Sequence, residues 1–496
     1  MDTEVPRAVA RLRGAGVALS AAATLVAIIV PASAAAAQDP GAQAAIEKTR
    51  TFDVGPVAVD GYGVEQSFMA APNPHVDGYV TKMEVDVVDA DGTPVPISRL
   101  MLHHIVFANV FTRDRTCQSI TGFDGYLNPA LASERFYAAG EERAKMDLPP
   151  GYGYGLAKND AWGLLYMFMN HRSVDDSALI RYQVTYLERA DIDAVNADAN
   201  PANDVKIAPV HPYWLDAVNC HADPIYNVPG TGGPRSTDAR TYDLRLPEPG
   251  RIIAGGGHVH GGARALRLTE PDCANRTIAE SLPTWGLAGH PFYNVRPILH
   301  EPGPINMSAW RTETGIPVAA GQTVRLNSLY DNSRPHTRVM GISVIYVAAD
   351  PSLGATPQCG PLPADIVNVG TQEPGRAGPV PFKVPLTGIG ADGQATKISA
   401  PPGKLKRRAS GTEIAVRDRY FAEPNISVRK GATLRWHFSG SELHNVTLAN
   451  GPVAIGSPNL NDDRDFTRKL REPGTYRLFC ALHPVQMTER VVVRKR

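Results

Sequence analysis

The sequence predicts an all-β protein, and three observations carry that reading. Gly 45 and Pro 42 together make up 87 of the 496 residues, a turn-rich bias suited to many short strands. From about Thr51 the chain runs in short stretches of alternating apolar and polar residues, broken by Gly, Pro, Asn and Asp. Long helical patterns do not alternate with strands, which speaks against a doubly wound α/β enzyme. Hydrophobic residues at 43% and charged residues at 20% suit a globular chain, and the length calls for roughly two to four domains. Fifty basic residues balance fifty acidic ones, so wholesale nucleic-acid binding has no electrostatic support. Neither a GxxxxGK[ST] loop nor a GxSxG elbow occurs, which removes kinase, NTPase and α/β-hydrolase readings.

Taken in order, the first element is a targeting segment. Arg7, Arg11 and Arg13 precede an apolar run from Val17 to Val30, and the stretch Pro31 to Ala37 supplies small residues for cleavage. Residues 1–37 therefore read as a signal peptide, giving a secreted or periplasmic protein with no membrane span after cleavage. Residues 51–228 read as a first β domain. Tyr79 to Val88 alternates and turns at Asp89-Ala90-Asp91-Gly92, and Leu179 to Leu187 is a second such run. Asp191 to Asp204 holds seven Asp or Asn and reads as an exposed loop, not a helix. Pro229 to Pro234 marks a boundary, after which residues 235–350 form a second β domain with runs at Arg264–Leu268, Val324–Leu329 and Val339–Val347. Residues 351–410 read as a Pro/Gly-rich linker with one strand, and 411–496 as a third unit. From Lys404 onward there are 18 basic and 9 acidic residues, so an acidic front and a basic tail could dock on each other or on separate partners, while a solubility accident of two fused modules explains the asymmetry about as well.

Export permits disulfides, and there are five cysteines, an odd number. Setting Cys480 aside, the other four allow three pairings. Their segregation along the chain favours Cys117 with Cys220 and Cys273 with Cys359.

The most specific chemical signal lies near the C-terminus. Gly474 to Cys480 alternates, placing Tyr476, Leu478 and Cys480 on one strand face. Cys480, His483 and Met487 follow within one loop, and His444 begins a strand upstream. Two imidazoles, a thiolate and a weak axial thioether form the type 1 copper set used for electron transfer. With Tyr420 to Val428 and Lys430 to Trp436, residues 411–494 resemble plastocyanin/azurin-like cupredoxins. That resemblance implies a Greek-key β-sandwich.

Two further histidine clusters precede it. His258 and His260, two apart among glycines, would project from one strand face as a metal grip, with the glycines leaving room for a ligand or substrate. Two unrelated core or surface histidines explain the spacing about as well. His103 and His104 are adjacent, so on a regular strand they face opposite ways, and one metal would need a twist or bulge there; taken alone, the pair reads better as one buried and one exposed histidine. Met340 shares an apolar stripe with Ile342, Val344 and Tyr346, and most such methionines are core residues. The order HH, His171, HxH, Met340 resembles the copper type II, ascorbate-dependent monooxygenases, the superfamily of peptidylglycine α-hydroxylating and dopamine β-monooxygenases, over about residues 51–350. The resemblance implies two jelly-roll-like β-sandwich domains. It implies one copper on His103, His104 and His171, and a second on His258, His260 and Met340, the catalytic set where dioxygen is activated. A rival alignment on Gln183 to Tyr186 puts Thr185 in place of the third histidine. Peptide-amidating members carry an arginine two residues before the HxH pair; Gly256 stands there, which speaks against a glycine-extended peptide.

The expectation is thus an exported copper oxidoreductase that hydroxylates a C–H bond of a small-molecule or peptide-like substrate, fed by an external reductant or redox protein. The alternatives are a copper-binding, electron-transfer protein without oxygen chemistry, or a sandwich pair that only carries the cupredoxin. The remaining histidines, His75, His211, His221, His290, His300, His336 and His437, read as surface or hydrogen-bonded core residues.

Overall fold

In the computed structural model, the described residues are 40–117, 133–197, 204–218, 220–221, 223–287, 290, 293, 300–369 and 401–495, with the backbone of short strands at Gly375–Ala377, Thr387–Ile389 and Ala395–Lys397. The expected signal peptide, residues 1–37, lies outside them. What is described is almost entirely strand, and no helix among these residues is long and apolar enough to cross a membrane.

One ten-stranded sheet organises the front of the molecule. Its first half is built from Lys48–Val59, Asp176–Glu188, Gly78–Val88, Tyr152–Leu156 and Ala208–Asp216, with Met146–Asp147 paired beside 78–88; its second half from Gly341–Ala349, Gly250–Val259, Ala309–Val318 and Val367–Val369. The halves join where 208–216 pairs antiparallel with 341–349, from Val210 opposite Ala348 to Asp216 opposite Ile342. A four-stranded sheet, Val64–Ala71, Trp162–Asn170, Leu100–Arg113 and Ser133–Gly140, covers the first half. Another, Thr237–Arg245, Thr323–Asp331, Ala263–Glu270 and Arg276–Ser281, covers the second. The strand 341–349 is apolar almost throughout because both its faces are covered. Ile342, Val344 and Tyr346 enter the first core together with Met340, while Ile345 and Val347 enter the second.

The chain from 401 on forms a separate two-sheet sandwich. One sheet holds Asn425–Arg429, Thr488–Arg494, Gly474–Phe479 and Thr447–Asn450; the other holds Thr412–Arg417, Thr433–Phe438 and Arg464–Lys469. Trp436 is fully buried between them. This sandwich packs on the first one, since Met101, Met167 and Met169 share a continuous apolar cluster with Cys480, Leu482 and Met487.

Both disulfides follow the segregation along the chain: Cys117 bonds Cys220 and Cys273 bonds Cys359, while Cys480 is free and buried. Two stretches differ from the sequence reading. Arg189–Asn196 is a helix where a loop was expected, because Ile192 packs with Tyr79, Leu187 and Val205 and so pins one face of a polar segment. The segment read as a linker with one strand supplies several, including Val367–Val369 at the edge of the large sheet.

Candidate copper centres

In the C-terminal sandwich the donors converge. His444 Nδ1 and His483 Nδ1 are 3.1 Å apart, and Cys480 Sγ lies 3.9 Å and 3.8 Å from them. An ion about 2.0 Å from each nitrogen and about 2.3 Å from the sulfur, in trigonal array, would set separations of roughly 3.5 and 3.7 Å. The observed triangle fits such an ion. Met487 is fully buried, and its loop closes on itself: the Cys480 N–H donates to Met487 O (3.1 Å) and the Met487 N–H to His483 O (3.0 Å).

Sequence reasoning missed the residues that hold these ligands. The Asn445 N–H donates to Cys480 Sγ (3.4 Å), and Asn445 Oδ1 accepts from the Ala481 N–H (2.8 Å). One asparagine thereby staples the two ligand segments. Asp418 and Glu442 stand 3.4 Å from the Nε2 atoms of His444 and His483, which orients each ring with Nδ1 toward the sulfur. Burial pushes the Cys480 thiol up and His444 down; burial and the neighbouring His444 push His483 down to about 4. The imidazoles are thus neutral at ordinary pH, while a cation must displace the thiol proton.

The front histidines also assemble, from both sandwiches. The 100–113 strand has a register shift against 162–170 between Leu102 and His104, the irregularity that adjacent histidines require to face one way. His103 Nδ1 and His104 Nδ1 then stand 3.1 Å apart, the same separation as in the C-terminal pair. Two imidazole nitrogens this close share either a proton or a cation. The His103 ring centroid lies 4.6 Å from His260 and 4.9 Å from His300, and His258 lies 5.0 Å from His260.

The HxH pair is held by its Nδ1 atoms. His258 Nδ1 donates to the buried Glu142 carboxylate (2.9 Å), and His260 Nδ1 to Arg338 O (3.1 Å). A carbonyl acceptor requires Nδ1–H, so the second ring nitrogen keeps its lone pair. The Nε2 atoms of both His258 and His260 are buried and make no hydrogen bond among the described residues, the condition of nitrogens set aside for a metal. Tyr330 links this pair to Met340: its hydroxyl accepts from the His260 N–H (2.8 Å) and donates to Met340 O (2.6 Å).

A cavity of about 390 Å³ opens beside the cluster, walled by His103, His104, His260, His300 and Met340 on one side. Thr447 to Pro452, Phe479 and Leu482 of the C-terminal sandwich wall the other. His258 and Glu142 face a second cavity of about 270 Å³. Three of the glycines around HxH give their room to protein neighbours, since a Cβ on Gly255 would meet Trp310, one on Gly257 would meet Leu266 and one on Gly261 would meet Glu301, whereas Gly256 lines the second cavity and a Cβ there would meet only Ala309, at 3.5 Å.

His171 is fully buried at the end of the 162–170 strand, its N–H donating to Arg99 O (3.0 Å). The imidazole the sequence did not single out, His300, stands against His103, with the buried Glu141 carboxylate 3.5 Å from its Nε2; burial and then this same His300 push His171 down to about 3. A histidine and a Glu-Glu pair in polar, irregular stretches show no periodicity, so no spacing rule points to them. Burial first, then the neighbouring imidazoles, keep His103 and His260 far below the usual imidazole range; burial alone leads for His104 and His300, both pushed to about 4. Burial opposes charge on His258 too, yet Glu142 outweighs it and raises that pKa.

A mixed two-sheet sandwich carrying two histidines, a cysteine and a methionine at one end defines a cupredoxin, a copper electron-transfer domain. Within that class the chain belongs to the amicyanin-like family. Over 88 residues, 17% of this chain, it is 30% identical to Amicyanin-alpha of Methylorubrum extorquens and covers 73% of that protein. Among solved structures, a reduced Cu(I) form of an amicyanin mutant is 26% identical, covering 17% of this chain and 81% of that one, with a TM-score of 0.16. A purple cupredoxin from Nitrosopumilus maritimus is 24% identical, covering 17% and 99%, again with a TM-score of 0.16. Scores of this size say nothing about the chain as a whole. The family model SURNod19, "Stress up-regulated Nod 19", matches residues 179–350, a span that includes His258, His260, His300 and Met340. None of these likenesses is to a copper monooxygenase. The cupredoxin likeness implies copper binding and a redox partner, and the two disulfides accord with an oxidising compartment.

Proposed function

We propose that the chain is an exported copper oxidoreductase in which the cupredoxin takes electrons from an external reductant and delivers them to a histidine-held copper centre that hydroxylates a substrate C–H bond with dioxygen. The observation that carries this reading is the shared cavity: His103, His104, His260 and Met340 form one wall, and the segments flanking the type 1 ligands form the other. Copper bound there would supply one-electron chemistry and an open position for dioxygen. His103 and His104 would offer their Nδ1 atoms, His258 and His260 their Nε2 atoms, and Met340 a thioether. Glu142 and the Arg338 carbonyl hold the HxH rings in the tautomer that frees Nε2. His171 belongs to the set the family resemblance implies, while ring contact favours His300 as the imidazole beside His103.

Oxygen uptake by copper-loaded protein with ascorbate, screened against C–H substrates, tests the proposal. Met340→Ala should abolish substrate-dependent uptake and keep the blue colour, whereas Cys480→Ser should remove the colour. Full uptake by Met340→Ala would show that the dioxygen site lies elsewhere.

A second reading, a copper-binding and electron-transfer protein without oxygen chemistry, is favoured by one observation. The HH and HxH pairs meet at His103 and His260, whose ring centroids are 4.6 Å apart, as one shared centre would require. Oxygen uptake that never depends on substrate would support it.

A further inference from the structure

Between the cupredoxin and the histidine cluster, one residue is held in a conformation that side chains avoid. Arg338 has φ of +53°, the left-handed region where a Cβ meets the backbone, and such strain persists only where the surroundings enforce it. Here they enforce it from both ends. The Arg338 N–H donates to Asn227 Oδ1 (3.1 Å), and its guanidinium donates to Asp223 Oδ2 (3.0 Å), Ser457 O (2.5 Å) and Asn459 Oδ1 (3.1 Å). Its carbonyl accepts from His260 Nδ1 (3.1 Å). The backbone of Arg338 thus grips a ring of the HxH pair while its side chain grips the cupredoxin.

The contacts continue to the thiolate. Asn459 Oδ1 also accepts from Asn445 Nδ2 (2.8 Å), and the Asn445 N–H donates to Cys480 Sγ (3.4 Å). A continuous series of bonds and hydrogen bonds therefore runs from Cys480 through Asn445, Asn459 and Arg338 to His260. Asn227, which helps hold Arg338, also donates to Gly456 O (2.9 Å), so the 223–229 and 336–339 segments are fixed against the same cupredoxin loop.

We propose that Arg338 is a positioning residue that couples the two centres, carrying one electron at a time from the Cys480 site to the His260 side through this series. The proposal rests on the copper reading of the histidine cluster given above. With copper held by His444, Cys480 and His483 and by His260 and its neighbours, the step would be a one-electron transfer in which the first centre is oxidised as the second is reduced. No covalent bond is made or broken and no proton moves; an external reductant restores the electron to the cupredoxin.

The test uses the full-length chain loaded with copper, the type 1 site being reduced by a radiolytic pulse and the return of its blue absorbance followed. Arg338→Ala and Asn459→Ala should each slow that return by about 10–100-fold, the range over which outer partners of metal ligands act, with copper counts unchanged. Arg338→Lys, which keeps a charge but loses the fork, should fall between them and the wild type. Small-angle scattering of the metal-free variants provides a readout independent of turnover. Slowing in both alanine variants at unchanged radius of gyration supports the coupling. Unchanged rates in both overturn it. Slowing only in Arg338→Ala, with a larger radius, also overturns it, since Arg338 would then be a latch and not a route. If the wild type binds a single blue copper, the copper reading of the cluster fails first, and the coupling falls with it.

Discussion

His103 and His260 hold their ring centroids 4.6 Å apart although one lies in the covering sheet and the other follows a strand of the large sheet. His103 sits on the bulged 100–113 strand of the covering sheet, and His260 just past the 250–259 strand of the large one. The histidine centre is therefore a packing contact between layers, and small changes in how the layers meet should reach it.

Gly140 is where that is most direct. A Cβ there would lie 2.5 Å from the His258 ring and 2.7 Å from Glu142 Oε2, closer than such atoms approach. Gly140→Ala should break the His258–Glu142 hydrogen bond and lower copper affinity at the front centre by about 10–100-fold, leaving the blue site intact. Competition titration with a chelator, read separately on the blue and colourless copper, checks this.

Asn445→Ala addresses the other centre. It removes the side chain that bonds Ala481 and Thr447 and ties the two ligand segments together. Copper affinity of the type 1 site should fall by about 10–100-fold while front-centre copper is retained. An unchanged blue-site affinity would show that the loops hold their shape without it.

Acid should destabilise the metal-free protein through its neutral histidines. His104, His300 and His483 are pushed from 6.5 to about 4. Between those values the unfolded chain binds the proton and the folded one does not, so stability falls as pH drops from about 6.5 to 4. Each fully buried histidine contributes at most about 1.4 kcal/mol per unit of pH in that window. Urea unfolding at stepped pH measures the slope, and His300→Gln should flatten it.

Cys117 and Cys220 close a loop with a sequence separation of 103 residues. Replacing both by serine should cost about 2–5 kcal/mol of unfolding free energy, with loop entropy as the main cause. Equilibrium unfolding under oxidising and reducing conditions measures it.

Where chemistry and period act together, the sequence was readable. The 474–479 strand and its Cys480 loop announce a metal because a thiolate, an imidazole and a thioether stand within eight residues of one another, and the structure brings His444 to them. The alternation of Tyr79 to Val88 and the run after Gly341 likewise became strands. What stayed hidden depends on tertiary contact. Arg189–Asn196 is helical through the packing of Ile192, which its Asp and Asn content conceals. His300, Glu141 and Glu142 reach the cluster from stretches without periodicity. The pairing of 208–216 with 341–349 joins two sandwiches across the Pro229–Pro234 stretch, a long-range contact that local composition does not announce.

The most direct test is copper stoichiometry of the copper-loaded protein, read together with visible and EPR spectra. The expected result is one blue thiolate copper and further copper without that band, lost on replacement of His258 and His260. A single blue copper per chain, unchanged by those replacements, would contradict it and leave the front sandwiches as a scaffold for the cupredoxin.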